Sequence, residues 1–123
     1  MARILIVDDQ DNARGMLSAM LQQEGYTVDQ AGGGAAACEL VQSNGYDLVI
    51  TDLRMDDVGG LEVLRRTRES SPTTPVIVMT AFGTIEDAVE AMRFGAHDIV
   101  QKPFVEEELL TKVARASRSR ELG

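Results

Sequence analysis

Short apolar runs recur along this chain, and each stops at a residue with chemistry to offer. Ile4-Leu5-Ile6-Val7 stops at Asp8, Leu48-Val49-Ile50-Thr51 at Asp52, Val76-Ile77-Val78-Met79 at Thr80, and Asp98-Ile99-Val100-Gln101 at Lys102. Unbroken runs of this length read as strands covered on both faces. Tyr26-Thr27-Val28-Asp29-Gln30 alternates instead, as a half-exposed strand does. Between the strands, apolar residues fall at helical spacing. Met16, Leu17, Met20 and Leu21 follow Asp11 or Asn12 as a cap and precede the stop signal Gly25. Ala35, Ala36, Cys38, Leu40 and Val41 form a second set, closed by Gly45, and Leu61, Val63 and Leu64 a third. Ile85, Ala88, Val89 and Met92 make a fourth, opened by Gly83-Thr84 and ended by Gly95. The last helix starts near Val105 and turns Leu109, Leu110 and Val113 inward.

Strand then helix, repeated five times, predicts an α/β domain with a parallel sheet and helices on both faces. Right-handed crossovers leave few topologies. The expected one is a doubly wound five-stranded sheet in the order 2-1-3-4-5. Pro72 and Pro75 bracket the turn into the fourth strand, and Lys102-Pro103 ends the fifth. The Gly32–Gly34 run lacks the lysine and spacing of a phosphate-binding loop, so it reads as a loop and helix start.

Composition narrows the picture modestly. A chain of 123 residues suits one domain, taken as residues 1–116 with 117–123 as a tail or the start of a linker. Apolar content of 44% and charged content of 26% are those of a globular protein, and no apolar run approaches the roughly 20 residues that span a bilayer. Met1-Ala2-Arg3 enters a strand without a signal-peptide pattern, and Cys38 has no partner for an intramolecular disulfide. Both favour a reducing, cytoplasmic setting, with Cys38 as packed core. A net charge of −8 argues against direct nucleic-acid binding, which needs a basic face. Lys112 and Arg115 complement the dipole of the last helix.

The chemistry lies at the strand ends. In an open α/β sheet the ligand crevice sits at the carboxyl ends of the strands. One cleft would then hold Asp8, Asp9, Asp52, Thr80 and Lys102. Two carboxylates at ~4 Å repel by about 4 kcal/mol at an effective dielectric of 20, so such a cluster persists where a cation neutralises it or function requires it. Oxygen donors without histidine or thiolate point to Mg²⁺, with Mn²⁺ able to substitute. Lys102 offers a compact positive charge and Thr80 a hydroxyl donor for a phosphoryl group, and a carboxylate nucleophile would form an acyl phosphate. Asp52, ending a central strand, is the expected nucleophile. Asp29 and Asp47 read as solvated surface away from the crevice.

The segments ILIVDDQ, YDLVITDLRM, VIVMTA and KPF together make the chain, from Ile4 to about Arg115, resemble a response-regulator receiver domain of two-component signalling, with its flavodoxin-like fold. The resemblance implies Mg²⁺ held by Asp9, by the phosphoacceptor Asp52 and by the backbone carbonyl of Arg54, with Asp8 acting through metal-bound water. It implies that Thr80 and Lys102 contact the phosphoryl group and that a sensor histidine kinase or phosphotransfer protein donates it. The surface of the fourth helix, fifth strand and fifth helix would then switch, controlling dimerisation or an attached transcriptional output domain. GTIEDAVEAMRFGAHD most resembles receivers of nitrogen-regulation-type activators, and a homodimer would place Arg93, His97, Asp98 and Arg115 near its interface.

Two departures from the family pattern stand out. Ile99 occupies a position usually held by Tyr or Phe, and the loop after Asp52 reads Met55-Asp56-Asp57-Val58-Gly59-Gly60, without the usual proline. Phe82 would limit attacking water, and Arg54 would shield the phosphoryl group or pair with Asp56 or Asp57. Three other readings compete. A receiver that signals without phosphorylation is disfavoured by the complete set of site residues. A turnover aspartyl phosphatase wants a second Asp where Arg54 stands, and a flavin-binding protein wants a hydroxyl-rich loop where Asp8-Asp9-Gln10-Asp11 stands.

Overall fold

The computed structural model describes residues 2–81 and 85–122, with side chains described through Arg118. Ten elements alternate: β1 (Arg3–Val7), α1 (Asp11–Gln23), β2 (Thr27–Ala31), α2 (Gly34–Ser43), β3 (Leu48–Asp52), α3 (Gly60–Ser70), β4 (Val76–Thr80), α4 (Ile85–Arg93), β5 (Asp98–Gln101) and α5 (Glu106–Leu122). The expected helix opening at Gly83-Thr84, and Phe82 with it, lie outside the described residues. All strand pairs are parallel, in the order β2-β1-β3-β4-β5. The doubly wound sheet read from the sequence is the observed fold.

The sheet's two faces carry separate cores, because side chains alternate along each strand. Ile4, Ile6, Leu48, Ile50, Ile77 and Met79 pack with Leu17 and Leu21 of α1 and Leu109, Val113 and Ala116 of α5. Leu5, Val7, Val49, Val76 and Val78 face α2, α3 and α4, against Ala37, Val41, Val63, Leu64 and Ala91. Full burial of such a side chain stabilises by about 1.5–3 kcal/mol. The central strands therefore fix the framework on which the site stands.

Three local expectations are corrected. The N-cap of α1 is Gln10, not Asp11 or Asn12, and its N–H donates to Asp8 Oδ1 at 2.9 Å. Helix α4 buries Ala91, whereas Ile85 (78%), Val89 (53%) and Met92 (49%) stay exposed, so the helix lays its alanine rather than its larger apolar residues on the sheet. Asp29 and Asp47 are not merely solvated. Asp29 accepts from Arg3 Nη2 at 2.7 Å and the Tyr46 hydroxyl at 2.8 Å, and Asp47 accepts from the Arg3 N–H at 2.7 Å. The Tyr46 hydrogen bond, helped by Arg3, outweighs burial and holds the Asp29 carboxyl below its usual range. Burial and the same carboxylate push the Tyr46 phenol up to about 12.

Candidate functional site

Strand register assembles the site. Val7 pairs with Thr51, so Asp8 leaves β1 beside Asp52 at the end of β3. Asp52 pairs with Met79, which puts Thr80 one step further along β4, and Thr80 pairs with Gln101, which brings in Lys102 just after β5. The Lys102 N–H donates to the Thr80 carbonyl at 2.7 Å, and the Lys102–Pro103 peptide is cis.

Lys102 Nζ donates to Asp52 Oδ2 at 2.9 Å and to Asp8 Oδ2 at 3.1 Å. The side chains are 2% exposed for Asp8, 15% for Asp52 and 28% for Lys102. Burial alone would lower the Lys102 pKa. The two carboxylates more than offset that and hold it above the ordinary lysine value. Asp8 is fixed at both oxygens, through Oδ1 on the Gln10 N–H and Oδ2 on Lys102. Thr80 is buried at the end of β4.

Asp9 and Arg54 sit differently from this trio. Asp9 Oδ2 accepts from the Asp56 N–H at 3.1 Å, which ties it to the loop between β3 and α3. The Arg54 guanidinium pairs with neither Asp56 nor Asp57. Its Nη2 meets Asp87 Oδ2 on α4 at 2.7 Å, across the crevice mouth. Asp57 turns away from the site, and its oxygens accept from the Gly34 and Ala35 N–H groups at 3.0 and 3.2 Å. Backbone donors from Val58, Ala35 and Gly34 hold its carboxyl below the usual range. Sequence reading missed both Asp57's anchor and Asp87. The Gly32–Gly34 run was the available signal, because a Cβ on Gly33 would lie 2.8 Å from both Asp57 oxygens.

Among the described residues no three carboxylate, imidazole or thiolate groups converge on one metal position. The donor chemistry nevertheless fits a hard cation: Asp8, Asp9 and Asp52 bring three negative charges to strand ends where Lys102 supplies a single ammonium, and the Arg54 guanidinium is engaged elsewhere. Beside the carboxylates runs an apolar groove between α1 and the segment after β5, lined by Met16, Met20 and Phe104 and reaching Asp52 and Lys102.

A five-stranded 2-1-3-4-5 sheet with carboxylates, a hydroxyl and a lysine at successive strand ends defines a class. Residues 4–114 match the response regulator receiver domain family, and the chain belongs to it. It is 45% identical over 114 residues to the regulatory protein AtoC of Escherichia coli, covering 93% of this chain and 25% of that protein. It is 41% identical over 115 residues to the transcriptional regulatory protein YkoG of Bacillus subtilis, covering 94% and 50%. The chain thus spans a quarter to a half of the length of these relatives. Among solved structures, a response regulator receiver domain protein from Clostridium thermocellum superposes with a TM-score of 0.93 at 27% identity, covering 99% of this chain and 98% of that one. NtrX from Brucella abortus superposes with a TM-score of 0.92 at 31% identity, covering 98% and 28%. No helix among the described residues is long and apolar enough to cross a membrane.

Proposed function

We propose that this receiver domain is a phosphoacceptor switch in a cytoplasmic two-component relay, modified on Asp52 by a sensor histidine kinase or phosphotransfer protein. The observation that carries this reading is the Lys102 ammonium shared between Asp52 and Asp8 at the carboxyl edge of the sheet. An Asp52 carboxylate oxygen attacks the phosphorus of a phosphohistidine. The P–O bond forms as the P–N bond breaks, the electron pair stays on the imidazole nitrogen, and the product is an acyl phosphate. Lys102 offsets charge on the phosphoryl oxygens, and the Thr80 hydroxyl donates to one of them. Asp9, Asp52 and the Arg54 carbonyl would hold Mg²⁺, or Mn²⁺ in its place, with Asp8 acting through bound water. When bound, that ion supplies further charge neutralisation and orientation.

The domain on this reading modifies itself once per signalling cycle and returns by hydrolysis of its own acyl phosphate, without turning over a metabolite. The apolar groove beside α1 suits a helix of the phosphodonor. The exposed apolar residues Ile85, Val89, Met92 and Phe94 support an output surface on the side of α4, towards β5 and α5, where a second copy or a transcriptional output domain would bind. The Arg54–Asp87 pair joins the acceptor loop directly to that helix. The net charge of −8 leaves nucleic-acid contact to another part of a longer protein. The test is intact-protein mass after incubation with acetyl phosphate, with and without Mg²⁺, for wild type and Asp52→Asn. One phosphoryl group gained only by wild type with Mg²⁺ is the expected result. No gain in any arm, and none from a kinase, would leave a phosphorylation-independent binding module.

A further inference from the structure

The loop between β3 and α3, residues 53–59, carries Arg54 and Asp56 next to the acceptor, and besides the Arg54–Asp87 ion pair to α4 it is tied at its base, on its site side and at its far side. At its base the Gly60 N–H donates to the Leu53 carbonyl at 2.9 Å. On the site side the Asp56 N–H donates to Asp9 Oδ2. At its far side the Asp57 carboxylate spans the Gly34 and Ala35 N–H groups in the first turn of α2. Those two donors belong to the set a helix cannot satisfy internally. Helix α2 has no side-chain cap of its own, since its N-cap is Gly33. Asp57 supplies that cap from a different loop. Glycines make the approach possible: a Cβ on Gly34 would collide with the Val58 carbonyl, and one on Gly60 with the Asp52 carbonyl.

We propose that Asp57 is a positioning residue for the acidic site, clamping the β3–α3 loop onto α2 so that the Asp56 N–H orients Asp9 and the Arg54 main chain stays beside Asp52. The loop carries no proline that would stiffen it from within. An external anchor does so instead, and it ties the cation side of the crevice to a helix that shares no residue with it. The functional consequence rests on the phosphoacceptor reading above, while the clamp itself is a property of the fold.

The test compares Asp57→Ala, Asp57→Asn and Asp56→Ala with wild type. Asp56→Ala removes a carboxylate nearer the site but keeps the backbone N–H, so it isolates the effect of charge. Two quantities are read: Mn²⁺ affinity by calorimetry, and amide hydrogen exchange at Gly34, Ala35 and Asp56. Asp57→Ala should speed exchange at all three amides and weaken Mn²⁺ about tenfold, as removal of a group that orients a ligand does. Asp57→Asn, which keeps an acceptor, should fall between, and Asp56→Ala should leave exchange unchanged and weaken Mn²⁺ less. Equal losses of affinity in Asp56→Ala and Asp57→Ala would overturn the proposal in favour of charge alone. Faster exchange at Gly34 and Ala35 with Asp56 and Mn²⁺ affinity unaltered would reduce Asp57 to a helix cap and overturn it too. A wild type that binds no Mn²⁺ would instead contradict the cation part of the proposed function, and exchange at Asp56 would still decide the clamp.

Discussion

Replacing Lys102 with methionine keeps a long side chain at the end of β5 and removes the ammonium between a buried carboxylate, Asp8, and a partly buried one, Asp52. The acceptor oxygens of Asp8 and Asp52 lie 3.1 and 2.9 Å from the same nitrogen. They are therefore no more than about 6 Å apart, where two unit charges repel by about 3 kcal/mol at an effective dielectric of 20. Asp8 and Asp52 have little access to water to relieve this. The expected loss is about 3 kcal/mol of unfolding free energy, at the lower edge of the about 3–5 kcal/mol for orphaning one side of a buried pair. Urea unfolding at pH 7 in a chelating buffer measures it. Adding Asp8→Asn to the same chain should restore most of the loss, because a single carboxylate then remains. The raised Lys102 pKa sets the pH window: its contribution is complete below the ordinary lysine value of 10.5 and is lost as pH rises through the higher folded value. Wild type and Lys102→Met should therefore converge only in strong alkali. A loss below about 0.5 kcal/mol, within the usual range of surface changes, would refute the reasoning.

Asp9→Asn keeps an acceptor for the Asp56 N–H but removes the negative charge that follows Asp8 in the chain, so without divalent cations it should stabilise by about 1 kcal/mol and, in acetyl phosphate assays, cut phosphoryl uptake. Tyr46→Phe deletes the hydrogen bond to Asp29 and should cost about 1–2 kcal/mol at pH 7 by denaturant unfolding. Because the Asp29 pKa is depressed, that stabilisation is present above the ordinary value of 3.8 and is lost as pH falls through the folded value, so the gap between the two proteins should narrow on the acid limb. Gly15 lies in the exposed face of α1 with nothing within 4 Å of an added Cβ, so Gly15→Ala should raise the unfolding free energy by about 0.5–1 kcal/mol.

The framework was legible because the central strands are buried on both faces, which forces continuous apolar runs such as Ile4–Val7 and Val76–Met79 with little ambiguity. Part of the candidate site was legible for a related reason: in a parallel sheet every strand ends at the same edge, which brings Lys102 onto Asp8 and Asp52 and puts Thr80 at the neighbouring strand end. Helix faces were harder. Met16 and Ile85 sit at helical spacing yet remain exposed, since periodicity marks an apolar face without saying whether another element covers it. Long-range polar partners were not readable at all. That Asp29 meets Arg3 and Tyr46, that Arg54 reaches Asp87, and that Asp57 caps a helix 22 residues away depend on which loops the topology sets side by side.

The most direct measurement is the location of the modification itself. After incubation with acetyl phosphate and Mg²⁺, the protein is reduced with borohydride, which converts an aspartyl phosphate to homoserine, and the chain is digested and sequenced by mass spectrometry. Homoserine at position 52, and at no other aspartate, is the predicted result. Conversion at Asp8 or Asp9, or phosphoryl incorporation that survives in Asp52→Asn, would contradict the assignment of Asp52 as the acceptor.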